Sequence, residues 1–151
     1  LLIGPWAAMS VLINTLLAEL VTNLHAFFVV APNHTGDDLY RFSGPARGKD
    51  EFHLRQIVGS ANYACGNDVT DFLHGWLNYQ IEHHLFPRAT MLQYRRMQPE
   101  LKTLCHKYGV PYVQESVWKR AWKTVDIMTG RTSMRQDYEY EEAAELSRAA
   151  G

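Results

Sequence analysis

The first 32 residues, LLIGPWAAMSVLINTLLAELVTNLHAFFVVAP, constrain the chain more than any other stretch. They stay apolar for longer than the ~20 residues a bilayer crossing needs. Pro5 suits the first turn of a helix and Pro32 its end, so the span between them predicts one helix of roughly 40 Å at 1.5 Å per residue. Asn14, Glu19, Asn23 and His25 interrupt the run, which leaves a buried helix of a water-soluble protein as the competing reading. The length favours a transmembrane helix. A cleavable signal peptide is excluded, because a basic leading region is missing and the apolar run is too long.

Charge follows the same division. Glu19 is the sole formally charged residue from Leu1 to Gly36, and all fifteen Lys and Arg stand at Arg41 or later. The positive-inside tendency then puts everything after the helix in the cytoplasm, an integral membrane arrangement in which the sequon at Asn33 to Thr35 is a chance match. Cys65 and Cys105, forty positions apart, form no CxxC and suit a reducing compartment.

Residues 33–51 carry Gly36, Gly44, Pro45 and Gly48 among charges and read as a loop. Residues 52–77 are moderately apolar but broken by Asp68 and Asp71, which suits helices lying at a membrane surface or against a bundle rather than a second span. Residues 88–123 hold eight Lys or Arg against Glu100 and Glu115, with apolar positions at roughly helical spacing. That segment reads either as a solvated helical face or as a docking surface for anionic headgroups or an acidic partner. From Thr129 the chain is polar, with five acids between Asp137 and Glu145, and predicts a frayed helix or disordered tail. The fold class expected is all-α, a membrane helix followed by cytosolic or interfacial helices. No glycine pattern for nucleotide phosphates occurs, and nucleic acid is not an expected partner.

The chemistry concentrates in NYQIEHHLFP, residues 78–87. Written as a helix, Gln80, His83 and His84 stand at i, i+3 and i+4 and project from one face. Imidazole is the commonest protein ligand for a transition metal near neutral pH, so the stretch is suited to holding one. A zinc-peptidase helix is excluded, since the inverted motif H-x-x-E-H would need histidine where Tyr79 stands.

GWLNYQIEHHLFP resembles the third histidine box of membrane fatty acid desaturases, in the variant typical of front-end and related acyl-lipid enzymes, where glutamine replaces the first histidine. RQIVGSANYACGNDVTDF, LKTLCHKYGVPY and LHAFFVVAPNHTGDDLYRF are similar to flanking regions of the same family, so the resemblance covers roughly residues 10–125. It implies that residues 1–32 hold the last membrane helix, 33–128 the cytosolic region with the third box, and 129–151 an acidic tail. By the family pattern His83 and His84 bind iron, Gln80 binds weakly or through water, and His25 supplies the single ligand from the end of the membrane helix. His34 competes for that last role. His74 would face away from Gln80 and has no ligand role, and His53 and His106 read as surface histidines. Glu82 either orients a ligand ring or faces solvent.

The resemblance further implies a di-iron desaturase that uses dioxygen and an electron donor, such as a b-type cytochrome or a ferredoxin, on an acyl lipid or acyl-CoA. The family's two earlier histidine boxes are missing from these residues, and seven histidines cannot complete the ligand set. The chain is therefore expected to be the C-terminal half of such an enzyme and inactive alone. A hydroxylase of the same superfamily, or a non-catalytic membrane remnant that binds lipid or partners, are the alternatives.

Overall fold

The computed structural model describes residues 4–137. Helix α1 (Pro5–Val30) starts with its proline in the first turn and runs into a 3₁₀ turn, Ala31–Asn33, where Pro32 ends the regular ladder. Among the described residues, Pro5–Asn33 is the one helix long and apolar enough to cross a membrane, by length and composition. None of its most apolar window is buried, and Leu12, Leu16, Leu20 and Leu24 are each more than half exposed. A core helix of a water-soluble protein buries one face. This helix buries Val29 alone, next to the turn where the rest of the chain begins.

Five further helices follow among the described residues: α2 (Lys49–Val58), α3 (Asp68–Leu73), α4 (Gln80–Leu85), α5 (Met91–Lys107) and α6 (Val117–Met128). They start where the side chains supply stop-and-start chemistry. Asn67 accepts the N–H groups of Val69 and Thr70, Thr90 and Gln93 form a reciprocal capping box, and Ser116 accepts the Lys119 N–H. The fold is thus all-α apart from two-residue strands, β1 (Tyr40–Arg41) and β2 (Arg135–Gln136), which pair in parallel.

Two sequence expectations change in detail. The basic segment is not one helical face: α5 and α6 are separated by an extended stretch, whose Gln114 forms a parallel bridge with Asn62 of the α2–α3 connection. Arg120 and Lys123 do not face water freely, for Arg120 is fully buried and Lys123 is paired with acids. The polar tail begins with ordered chain. β2 holds residues 135–136 against β1, the Arg135 N–H donates to the Leu39 carbonyl at 2.9 Å, and its guanidinium lies 5.5 Å from the Tyr40 ring centre. The rest of the expected tail, residues 138–151, lies outside the described residues.

The core is small and sits under α4. Leu39, Val58, Ala61, Tyr63, Tyr79 and Ile81 are at most 1% exposed, and polar Asn33, Asn62, Asp71, Asn78, Glu82 and Arg120 are buried among them. Buried polar groups cost free energy unless hydrogen-bonded, so these side chains form the framework that fixes the site.

Candidate metal centre

The turn before α4 sets its position. Gly75 (φ 55°) and Trp76 (φ 64°) lie in the left-handed region, which costs a residue with a Cβ roughly 1–2 kcal/mol. Trp76 is held there by its N–H bond to the Asp71 carbonyl at 2.8 Å and by stacking on Tyr79, with the Arg95 guanidinium 5.7 Å from its ring. The chain then turns inward. Asp71, fully buried, accepts from Asn78 Nδ2 at 2.6 Å, the Tyr79 hydroxyl at 3.1 Å and the Gly66 N–H at 3.3 Å, and Arg95 lies 3.3 Å from it. Asn78 and Tyr79 are thereby anchored immediately before Gln80.

A second polar group fixes α4 from its other side. Asn62 Oδ1 accepts the Ile81 N–H at 2.9 Å, and Asn62 Nδ2 donates to the Glu82 carboxylate at 2.7 Å. The Tyr112 hydroxyl donates to the same carboxylate at 2.7 Å. Glu82 is fully buried, so of its two expected placements solvent is excluded, and its hydrogen bonds go to Asn62 and Tyr112 rather than to an imidazole. Burial raises its pKa, against the hydrogen bonds from Tyr112 and Asn62 that favour the carboxylate.

With α4 so held, Gln80 and the histidines one turn on converge as the i, i+4 spacing dictates. Gln80 Nε2 lies 2.8 Å from His84 Nε2 and 3.3 Å from His34 Nε2. The His34 and His84 rings stack at 5.0 Å, and the His83 ring lies 5.9 Å from that of His84. His83 turns its Nδ1 toward the Tyr94 hydroxyl at 3.2 Å. One amide group facing two Nε2 atoms means that both lone pairs point at nearly one place. Burial lowers the pKa of both rings; His84 falls to about 4, helped by the neighbouring His34 and His83, and His34 is lowered further by His83. Both rings are therefore neutral near pH 7, the form that binds a metal.

His34 reaches this place because the loop carrying it is clamped. Arg120 Nε donates to the Pro32 carbonyl at 3.1 Å, one Nη to the Thr35 carbonyl at 2.6 Å and the other to Asp38 at 2.6 Å. Lys123 donates to the second Asp38 oxygen at 2.6 Å. Before His34, the buried Asn33 donates through Nδ2 to the carbonyls of Val29 and Leu77 at 3.0 and 2.9 Å, with Gln80 Oε1 at 3.4 Å. Nothing in the sequence alone marked Asn62 or Arg120 for these roles, and Asn33 stood out only as the first residue of the Asn33–Thr35 sequon.

The structure brings together Gln80, His83, His84 and His34, and leaves His25 apart. His25 is exposed on α1, and its Nε2 lies 2.7 Å from the carbonyl of Leu73, the last residue of α3. That carbonyl has no intrahelical donor, and an Nε2–H satisfies it. His74 turns Nδ1 to the Thr70 carbonyl at 2.8 Å and packs on Tyr63, while His53 and His106 are exposed on α2 and α5.

Among the described residues no three His, Cys, Asp or Glu side chains form a metal site by themselves. The His34–His84 pair is completed by an amide, and the buried Asn33 Oδ1 beside it has no hydrogen-bond partner among the described residues. These donors fit one side of a nitrogen-rich coordination sphere, the remainder of which other residues would have to supply.

The fatty acid desaturase family model matches residues 1–116. The Delta(8)-fatty-acid desaturase 2 of Arabidopsis thaliana is 38% identical over 105 residues, 70% of this chain and 22% of its own length. The sn-1 linoleoyl-lipid 6-desaturase of Synechocystis is 35% identical over 72 residues, 48% of this chain and 20% of its own. The NADPH-dependent stearoyl-CoA 9-desaturase of Mycobacterium tuberculosis is 28% identical over 122 residues, 77% and 28% respectively. The chain thus spans less than a third of the length of these relatives. No solved structure is significantly similar to it. With the family model matching more than three quarters of its residues, loop and box helix included, the chain belongs to the fatty acid desaturase family.

Proposed function

We propose that the chain is one portion of a membrane fatty acid desaturase, in which His34, Gln80, His83 and His84 hold part of an iron centre. The convergence of two neutral imidazoles and a carboxamide on one place carries this reading. Bound iron would supply the power to oxidise an unactivated C–H bond with dioxygen, leaving a double bond in an acyl lipid or acyl-CoA. The chain's own residues do the positioning. His34 and His84 present Nε2 lone pairs, and a half-turn of the Gln80 amide presents Oε1 in place of its NH₂. The hydroxyl of Tyr94 holds the His83 ring through Nδ1, which fixes the tautomer that leaves Nε2 free when Tyr94 accepts. His25 stands outside the proposed set, since the Leu73 carbonyl already partners it.

In this reading α1 spans the bilayer, the helices after it face the cytoplasm, and a carrier such as a b-type cytochrome or a ferredoxin delivers electrons there. The charge division at residue 36 supports that orientation. The relatives compared above are all named desaturases, which favours desaturation over hydroxylation. The test is expression of the complete gene product in membranes, with fatty acid products read by gas chromatography and iron by elemental analysis. Loss of product and iron together in His34→Ala and His84→Ala at unchanged protein level is expected. Full iron in both variants would refute the proposed centre.

A further inference from the structure

Helix α6 is built inside out. Its polar residues Arg120 and Thr124 are buried, at 0% and 2% exposure, while Trp118, Trp122 and Met128 are 67%, 69% and 71% exposed. Trp118 and Trp122 stand one turn apart on one face. In water this arrangement would leave both indoles about two thirds exposed. The exposed face is continuous with that of α1, because the Trp118 ring meets Phe28, in the last turn of α1, edge to face at 5.5 Å. A second short helix repeats the pattern on α1. α3 is tied to the helix by His25 and the Leu73 carbonyl, and it exposes Val69, Phe72 and Leu73 at 67%, 78% and 55%.

We propose that α6 lies in the interfacial layer of the bilayer, with Trp118 and Trp122 seated at headgroup depth against the end of α1. The inference rests on the reading of α1 as a span. Three observations select lipid as the occupant. The apolar face begins where the span ends, it is contiguous with the span's own exposed surface, and it is made of tryptophan, whose amphipathic ring favours the boundary between headgroups and acyl chains. The opposite face of α6 grips the His34 loop through Arg120, Lys123 and Thr124. The bilayer surface and the candidate metal centre are therefore held at a fixed separation by one helix, which sets the depth at which an acyl chain leaving the bilayer meets the centre.

The experiment uses the complete gene product reconstituted into phosphatidylcholine vesicles, with tryptophan emission quenched by lipids brominated near the headgroup or near the chain end, or by iodide in the water. Emission from the pair is taken as the difference between the unmodified protein and Trp118→Phe/Trp122→Phe. The same difference taken in a Trp6→Phe/Trp76→Phe background repeats the reading with fewer other indoles, and the single variants Trp118→Phe and Trp122→Phe guard against misfolding of the double one. Quenching that is greatest with shallow bromines, with a blue-shifted maximum, is the expected result. Quenching by iodide alone places the face in water; protection from both bromines and iodide places it against protein, whether other segments, a second copy or a partner; and stronger quenching by deep bromines places it in the hydrocarbon. Each of those overturns the proposal. Vesicle flotation separates the two readings, since a protein that fails to float removes the span itself, whereas one that floats with iodide-quenched indoles removes the placement of α6 alone.

Discussion

Arg120 and Gly36 should be energetically coupled across 84 positions of sequence. A Cβ at Gly36 would lie 2.5 Å from an Arg120 Nη atom and 2.6 Å from an Asp38 carboxylate oxygen, closer than real Cβ contacts. The glycine backbone there is not left-handed, so Gly36→Ala costs only the displacement of the guanidinium, about 1–3 kcal/mol for overpacking. Arg120→Ala is more damaging. It strips a charged donor from two backbone carbonyls and unpairs Asp38 from one of its two cations, while Lys123 remains. Breaking a buried pair costs about 3–5 kcal/mol. That is a large share of a typical stability of about 5–15 kcal/mol. Once Arg120 is gone, the added methyl has room on that side, so the double variant should lose less than the sum of the single losses by about 1 kcal/mol or more. Arg120→Lys should fall between, since an ammonium reaches Asp38 but cannot span both carbonyls. The assay is thermal and urea unfolding in detergent followed by circular dichroism, with Trp122→Ala as the control on the opposite face of α6. Additivity within about 0.5 kcal/mol, or a loss of less than about 1 kcal/mol for Arg120→Ala, would show that the clamp does not hold the loop as described.

In the complete enzyme His84→Ala and His34→Ala should each abolish bound iron and product, Gln80→Ala should be damaging, and Gln80→His should keep part of both because it returns a nitrogen donor to the same face. His25→Ala should retain iron and instead raise hydrogen exchange in α3, whose terminal carbonyl it releases; iron loss in that variant would restore His25 as a ligand. Asp38 gives a pH dependence: burial would raise its carboxyl pKa, but hydrogen bonds from Lys123 and Arg120 outweigh burial and hold it below 3.8. Its contribution is therefore complete above that value and lost as pH falls through the lower folded pKa, and acid melts should show this loss in the parent chain but not in Asp38→Asn. Residues 1–151 expressed alone in membranes should hold no stoichiometric iron pair and form no unsaturated product, as elemental analysis and gas chromatography would read. Tyr112→Phe, which removes one of the two donors to the buried Glu82 carboxylate, should cost about 1–3 kcal/mol by urea unfolding.

What the sequence made legible was local. The Gln80–His84 approach follows from helical spacing, and α1 follows from a long, mainly apolar run between two prolines, neither of which needs any knowledge of tertiary contacts. The placement of His34 was not legible in the same way. It depends on a guanidinium 88 positions away at the Pro32 carbonyl, and Arg120 lies in a stretch whose eight basic residues read as one exposed face. Arginine is almost never fully buried unless paired, so its burial becomes visible only when Asp38 and Glu115 are seen beside it.

His25 shows how a sound physical demand can be met by an unexpected group. An imidazole on an apolar helix needs a partner, because leaving its N–H unsatisfied in hydrocarbon is costly. The demand specifies a polar partner and says nothing about a metal. α3 meets it with the Leu73 carbonyl, an acceptor at a helix end that lacks a donor of its own. The two unsatisfied groups cancel at one contact, and that contact fixes α3 against α1 near the level where Phe28 receives Trp118. Histidine at position 25 therefore has a physical reason to be there whether or not iron is bound, and His34, presented by a loop gripped from α6, is free to turn its Nε2 toward Gln80 and His84.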